Sequence, residues 1–160
     1  MKTKPDSYKP LAGSPENLAT SGCRRFLVPI DFSEESLKAL RHAHDLAAGG
    51  KAELTLLNVI EEPLSFRTLD RVGQQHARKK ERLARLEGLA QEETGSGISV
   101  KTLVCDGSPA KEITRFAAQT LPDMIIVGRH EHHGFGRWFH GHTASRLARQ
   151  APCTLIVLGN

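Results

Sequence analysis

Five short apolar segments alternate along this chain with four segments that have the spacing of amphipathic helices. Each apolar segment is nearly continuous, which is typical of a strand that is covered on both faces, as in a parallel sheet. Strands that alternate with helices predict right-handed crossovers and an α/β fold, an open doubly wound parallel sheet of five strands with helices on both faces. The predicted strands are residues 26–30, 52–60, 98–105, 124–128 and 154–158.

Two of the helices have clear start signals. Ser33 is followed by two glutamates, which is typical of an N-cap with acidic residues in the first turn. Ser108 is followed by Pro109, a residue that favours the first position of a helix. Pro29 cannot donate a hydrogen bond to a neighbouring strand, so we expect the pairing of the first strand to finish near it.

The second helical segment, predicted at about residues 66–93 with an irregular start or kink at Gly73, is charged over most of its surface. Its inner face is inferred from residues that recur at helical spacing. His76 falls on this face and is therefore interpreted as a partly buried histidine. The face comprises Leu69, Val72, His76, Leu83, Leu86 and Ala90.

Composition restricts the class of protein. The 160 residues are 39% hydrophobic and 25% charged, which is ordinary for one globular domain with a substantial core. The net charge of +4 is spread among interspersed acidic and basic residues, and aromatic residues are only 5%, so we expect no nucleic-acid partner. No apolar run has the length of a membrane span or of a signal-peptide core, so we expect a cytoplasmic protein with no membrane partner.

The first 22 residues differ in composition from the rest. Residues 1–22 are rich in Lys, Pro, Ser and Gly and have too few apolar residues to offset the entropy lost on ordering. They are predicted to be a disordered tail, followed by one domain over residues 23–160. Cys23, Cys105 and Cys153 form no CxxC pair, and the last two adjoin apolar strands, so these two are interpreted as buried free thiols in a reducing compartment.

Several polar features converge within residues 124–158. A predicted strand runs into a glycine- and histidine-rich loop, residues 129–140, that opens a helix at about residues 141–150. Such a loop brings backbone N–H groups and the positive end of a helix dipole together, which suits an anion such as phosphate. Ligands of doubly wound sheets lie beyond the carboxyl ends of the strands, where Asp31, Val59 and the loop after Gly128 are expected to meet.

Five separate segments, taken in their order along the chain, resemble the universal stress protein family. The resemblance covers residues 24–158 and implies a Rossmann-like sheet in the order 3-2-1-4-5, a homodimer formed along the last strand, and a cytoplasmic role in stress response. An apolar edge strand such as TLIVL would itself favour a pairing partner. The segments are VPIDFSEES (28–36), NVIEEP (58–63), DGSPAKEI (106–113), DMIIVGRH (123–130) and APCTLIVL (151–158).

The family has one branch that binds ATP and one that binds no nucleotide. ATP-binding members resemble G-x2-G-x9-G-[ST], which places the first glycine at Gly128 and the last at Gly141. Here the middle glycine is replaced by Glu131 and the hydroxyl position by His142, and the negative charge of Glu131 would repel a polyphosphate. For ATP or a related nucleotide, the resemblance implies contacts from Asp31, Gly128 and Gly141. Three further candidates come from the residues themselves: Val59 at the end of the second strand, Arg137, which could neutralise phosphate, and Thr143, a hydroxyl one residue after His142.

Five of the eight histidines lie within thirteen consecutive residues, 130–142, which cover most of this loop and the start of the next helix. Imidazole suits Zn, Ni and Cu, and a transition-metal site needs three or four converging ligands, although the spacing here matches no established motif. Three interpretations stay open: a specific site for a divalent transition metal, a solvated loop that binds metal weakly, and a charge switch that becomes cationic at about pH 6. The candidate ligands are His130, His132, His133, His140 and His142.

No residue pattern indicates an enzyme. The chain lacks a nucleophile elbow, carboxylates paired at a suggestive spacing, and a Walker lysine after the glycines, although weak nucleotide hydrolysis is compatible with the family. The leading hypothesis is a non-enzymatic, dimeric stress-response sensor or interaction module with an altered nucleotide-binding loop. The alternatives are a nucleotide-binding universal stress protein and a metal-binding protein that uses the histidine loop.

Overall fold

The computed structural model describes residues 23–48, 50–61, 71–93, 98–129 and 142–159. The predicted tail, residues 1–22, lies outside these ranges. The strands are β1 (Arg24–Pro29), β2 (Ala52–Ile60), β3 (Ile98–Asp106), β4 (Met124–Gly128) and β5 (Thr154–Leu158). The helices are α1 (Glu34–Ala47), α2 (Arg71–Glu93), α3 (Pro109–Thr120) and α4 (His142–Gln150).

The five strands form one parallel sheet in the order β3-β2-β1-β4-β5. This topology confirms the predicted Rossmann-like, doubly wound α/β fold. The chain runs across the sheet in one direction from β1 to β3 and in the other from β4 to β5. The direction therefore switches between β1 and β4, and ligands of such sheets bind beside the carboxyl ends of the strands at this point.

Both faces of the sheet are buried, which explains the continuous apolar strand sequences. In β1, Phe26 and Val28 face one core, whereas Leu27 between them faces the other. The first core is formed with α1 and α2, and the second with α3 and α4. The largest buried side chains that the helices contribute are Leu40, Leu86, Ile113 and Leu147.

The connection from β1 to α1 follows the predicted signals. β1 ends at Pro29, and the N–H of Ile30 makes the next bond, to the carbonyl oxygen of Leu57 at 2.8 Å. Ser33 is the N-cap of α1, and its Oγ accepts a hydrogen bond from the N–H of Ser36 at 3.2 Å. The cap satisfies a backbone donor that the first helical turn would otherwise leave unpaired.

Helix α2 is rotated relative to the predicted orientation. Leu86 is fully buried, but His76 and Leu83 are exposed, so the prediction of a partly buried His76 is wrong. Polar contacts explain this orientation. Gln75 and Lys79 contact the carboxylate of Asp106 at the end of β3, and these contacts determine which face of α2 packs on the sheet. None of the helices in the described ranges, α2 included, has the length and hydropathy needed to cross a membrane.

Candidate functional site

A small pocket lies at the carboxyl end of the sheet, beside the ends of β1 and β2. It has about 200 Å³ of empty space, part of it open to solvent. Of the described residues that line it, Asp31 is charged and the others are apolar. The strand ends contribute Pro29, Ile30, Leu57 and Val59, and helix α3 contributes Pro109 and Ile113.

Asp31 has two roles in the structure. Its Oδ1 accepts a hydrogen bond from the N–H of Ser33 at 3.0 Å, and the hydroxyl of Ser33 donates to the same oxygen. Asp31 therefore supports the residue that caps α1. The same residue lines the pocket next to Val59, so the predicted proximity of these two residues is observed.

Successive residues at the end of β2 point to opposite faces of the sheet. Leu57 and Val59 line the pocket and belong to the second core. Asn58 lies between them, is only 3% exposed, and donates from its Nδ2 to the carbonyl oxygen of Ile30 at 2.7 Å. This bond ties the residue after β1 to β2 just before Asp31. Asn58 was not among the predicted site residues, although an amide within an apolar strand segment was an available signal.

Helix α3 forms the remaining wall of the pocket. Ser108 is the N-cap residue, but its hydroxyl makes no capping bond, and its carbonyl oxygen instead accepts the N–H of Glu112 at 2.9 Å. Gly107 precedes it with φ of 143°, a conformation that side chains rarely adopt, and a Cβ there would lie 2.8 Å from Cγ of Glu112. This turn brings Pro109 and Ile113 against the strand ends. Neither Pro109 nor Ile113 was predicted as a site residue.

Two further predicted contacts, Gly128 and Thr143, are not part of the pocket lining. Gly128 is fully packed beneath α1, because a Cβ on it would lie 2.3 Å from the carbonyl oxygen of Glu35. Thr143 lies in the first turn of α4 and is 8% exposed. The structure therefore gives Gly128 a packing role that needs no ligand.

Residues 22–159 match the model of the universal stress protein family. The chain belongs to this family. Universal stress protein MJ0531 of Methanocaldococcus jannaschii is 27% identical over 143 residues, which are 84% of this chain and 81% of that protein. The solved structure of universal stress protein UspA from Lactobacillus plantarum has a TM-score of 0.71 and 28% identity, over 84% of this chain and 97% of that chain.

Two other solved structures with this fold carry a nucleotide. One is a universal stress protein in complex with cAMP, with a TM-score of 0.59 and 18% identity over 84% of this chain and 96% of that chain. The other is a universal stress protein family protein from Arabidopsis thaliana with AMP bound, with a TM-score of 0.57 and 12% identity over 86% of this chain and 92% of that chain. At these identities the likeness extends to the fold alone.

The loop of this universal stress protein lies outside the described residues, and with it most of the predicted metal and phosphate contacts. His142 begins α4, but only its backbone is described. Within the described ranges, no group of three or more His, Cys, Asp or Glu residues could hold a metal ion. The metal site in the loop stays a prediction. The predicted residues outside the described ranges are His130, His132, His133, Arg137, His140 and Gly141.

Proposed function

We propose that this universal stress protein is a non-enzymatic stress-response module whose pocket at the strand ends binds the nucleoside part of an adenine nucleotide. In this proposal the loop that would hold the phosphates is altered, so the protein does not prefer ATP. The observation that carries the proposal is the joint placement of Asp31 and Val59 in one apolar pocket. Its position fits the usual ligand crevice of doubly wound sheets.

The chemistry of the pocket supports a nucleoside. Leu57, Val59 and Ile113 offer apolar surface against which a flat base can pack. The carboxylate of Asp31 can accept hydrogen bonds from ribose hydroxyls or from an exocyclic amine. Only about 10 Å³ of the pocket is space that a water molecule can occupy, against the 300–1,000 Å³ of typical small-molecule sites, so in this proposal the pocket is one wall of the nucleoside site.

The sequence of the loop supports the second half of the proposal. Glu131 stands where the family pattern has a glycine, and His142 stands where it has a hydroxyl. A carboxylate close to a polyphosphate is unfavourable, since like charges repel most strongly where water is partly excluded. A nucleoside or monophosphate carries less charge and meets less of this repulsion. The fold is compatible with such ligands, given the cAMP and AMP complexes of the two proteins named above.

A binding role is favoured over catalysis by the composition of the pocket. Among the described residues of the lining, Asp31 is the one ionisable side chain, and it already accepts two hydrogen bonds from Ser33. Acid–base or nucleophilic catalysis needs at least two such groups in mutual reach. We therefore propose a sensor whose ligand changes its interactions with other proteins.

We also propose that the module is a homodimer formed along β5. This strand lies at one edge of the sheet, and Val157 within it is 39% exposed. An apolar edge strand offers unpaired backbone groups as well as an apolar surface to a second copy.

Isothermal titration calorimetry of the full chain with adenosine, AMP and Mg-ATP tests the proposed ligand. We expect adenosine and AMP to bind with similar affinity and ATP to bind no more tightly than either. Asp31→Asn should weaken adenosine binding about tenfold, since it removes the charge that accepts the hydrogen bonds. Asp45→Asn, the same change at an exposed site on α1, is the control. Failure of all three ligands to bind, or clearly tighter binding of ATP, would contradict the proposal.

The concentration of histidine in the loop favours metal binding as a second candidate function. Five of eight histidines occur in residues 130–142. Native mass spectrometry of untagged protein, after dialysis against a weak chelator, should reveal stoichiometric Zn, Ni or Cu if these imidazoles form a site. Protein free of metal after the same treatment would favour the alternative interpretation, a solvated loop that binds metal only weakly.

A further inference from the structure

Phe32, directly after the pocket residue Asp31, has a left-handed backbone conformation with φ of 66°. Such a value is uncommon for any residue except glycine and is an outlier for a bulky one, because the Cβ atom approaches the carbonyl oxygen. A conformation of this kind persists only where the surrounding structure holds it. Among the described residues, Leu121 is the one other non-glycine residue with positive φ.

Two arginines of α2 hold the ring of Phe32. The guanidinium carbon of Arg85 lies 4.1 Å from the ring centroid, and that of Arg82 lies 5.4 Å from it. Both distances fall within the range in which a cation is attracted to the face of an aromatic ring. The ring also packs against the first hydrophobic core. We call Phe32, Arg82 and Arg85 the Phe32 clamp.

The left-handed turn sets the direction of Asp31. It brings the N–H and the hydroxyl of Ser33 back to Oδ1 of Asp31, and Ser33 in turn caps α1. If Phe32 relaxed to negative φ, the residues on its two sides would separate and these bonds would break. The orientation of the carboxylate in the pocket therefore depends on the conformation of Phe32.

Helix α2 is fixed at the same edge of the sheet by a second set of contacts. Lys79 forms an ion pair with Asp106, the last residue of β3, and Nε2 of Gln75 lies 3.3 Å from Oδ2 of the same carboxylate. Gln75, Lys79 and Arg82 are spaced by four and three residues, which places them on one side of the helix. The helix is thus attached both to the end of β3 and to the turn after β1.

We propose that the Phe32 clamp is a positioning device for the pocket: Arg82 and Arg85 keep Phe32 left-handed and thereby keep Asp31 oriented toward its ligand. The part of this inference that concerns a ligand rests on the proposed nucleoside site. The part that concerns the turn stands without it. Neither Arg82 nor Arg85 lines the pocket, so both are positioning residues, and α2 becomes a part of the molecule through which ligand affinity can be altered.

A double-mutant cycle tests this proposal with adenosine as the probe. Adenosine is uncharged, so loss of arginine charge has little direct effect on it. We expect the double substitution Arg82→Gln and Arg85→Gln to weaken adenosine binding about fivefold. The exposed Arg78 on the same helix provides the control, Arg78→Gln, which should have no effect. In a Phe32→Gly background, where glycine adopts positive φ without a ring, the arginine substitutions should have no further effect.

Amide hydrogen exchange gives a second readout that needs no ligand. The N–H of Ser33, which donates to Asp31, should exchange about fivefold faster in the double arginine variant. The N–H of Leu54 in the buried part of β2 should exchange as in the wild type, which excludes a general loss of stability.

Three results would overturn the proposal. The first is unchanged exchange at Ser33 in the double arginine variant. The second is an equal loss of adenosine affinity in the wild-type and Phe32→Gly backgrounds, since the arginines would then act without the ring. The third is faster exchange with unchanged affinity. If the wild type does not bind adenosine at all, the proposed function fails, and the exchange of Ser33 alone decides whether the clamp exists.

Discussion

The carbonyl oxygen of Glu35 lies 2.3 Å from the position that a Cβ atom on Gly128 would occupy. The first turn of α1 therefore rests directly on the last residue of β4, beside the switch point of the sheet. In the family pattern Gly128 is the first glycine of the phosphate loop. The contact gives it a second reason to be glycine, one that applies in the absence of any nucleotide.

Gly128→Ala should destabilise the protein by about 1–3 kcal/mol, because α1 must move away from β4 to make room for a methyl group. Urea unfolding followed by circular dichroism measures this change. Gly88→Ala is the control: a Cβ at residue 88 meets nothing within 4 Å, and alanine in the middle of α2 should stabilise by about 0.5–1 kcal/mol. Equal stability of Gly128→Ala and wild type would show that α1 adapts at no cost.

The fold could be predicted from the sequence because its clearest pattern, the continuous apolar strand segments, indicates a sheet that is buried on both faces. β2, β4 and β5 have the predicted bounds, and each is an apolar run between residues that break strands. The orientation of α2 was not predictable in the same way. Its apolar residues are few, and the helix follows the contacts of Gln75 and Lys79 with β3, which connect residues about thirty positions apart.

Part of the candidate site was also predictable, because the ends of the strands can be located in the sequence. Asp31 and Val59 follow strand ends, and parallel strands end at the same edge of a sheet, so their proximity could be inferred. Pro109 and Ile113 reach the pocket only through the packing of α3, which no local pattern encodes. The positive φ of Phe32 was hidden as well, because phenylalanine is not a residue that indicates such a turn.

Cys105 should be an unreactive thiol at neutral pH. Burial, together with the nearby carboxylate of Glu112, raises the pKa of Cys105 from 9.0 to about 11. The side chains of Cys105 and Cys153, predicted as buried thiols, are partly buried and pack against the second core. We expect iodoacetamide to modify Cys105 in the folded protein more slowly than free cysteine at pH 8, as measured by mass spectrometry. A rate equal to that of free cysteine would contradict the raised pKa.

The raised pKa of Cys105 also makes the stability of the protein depend on pH. An unfolded thiol ionises above its ordinary pKa of 9.0, whereas folded Cys105 keeps its proton until about pH 11. Its contribution to stability is therefore complete below pH 9.0 and is lost as the pH rises toward 11. Thermal unfolding at pH 8 and pH 10.5 should show a larger fall in Tm for wild type than for Cys105→Ala. Parallel falls in the two proteins would contradict this prediction.

Val157→Glu should disrupt the proposed homodimer. A carboxylate at an edge strand opposes pairing with a second copy, because it would be buried without a partner at the interface. Size-exclusion chromatography with light scattering should show a dimer for wild type and a monomer for the variant. Leu83→Glu is the matched control, since Leu83 is exposed to a similar extent, 36% against 39%, but lies on α2. A monomeric wild type, or a dimer that survives Val157→Glu, would exclude β5 as the interface.

Combined replacement Glu131→Gly and His142→Ser should increase the affinity for ATP about tenfold and leave adenosine affinity unchanged. Removing one like charge near a polyphosphate is worth on the order of 1 kcal/mol, and the serine restores a hydroxyl donor. Isothermal titration calorimetry with Mg-ATP and with adenosine measures both effects. Increased adenosine affinity would instead show that the substitutions act on the pocket rather than on the phosphates.

A further variant, Glu131→Gln, separates charge from backbone freedom at the same position. Glutamine removes the charge but keeps a side chain, whereas glycine removes both. If Glu131→Gln restores ATP binding as well as Glu131→Gly does, repulsion is what disables the phosphate site. If only glycine restores it, the loop must approach the phosphates with its backbone. If neither does, the phosphates bind outside the family pattern or not at all, and the nucleoside pocket then acts alone.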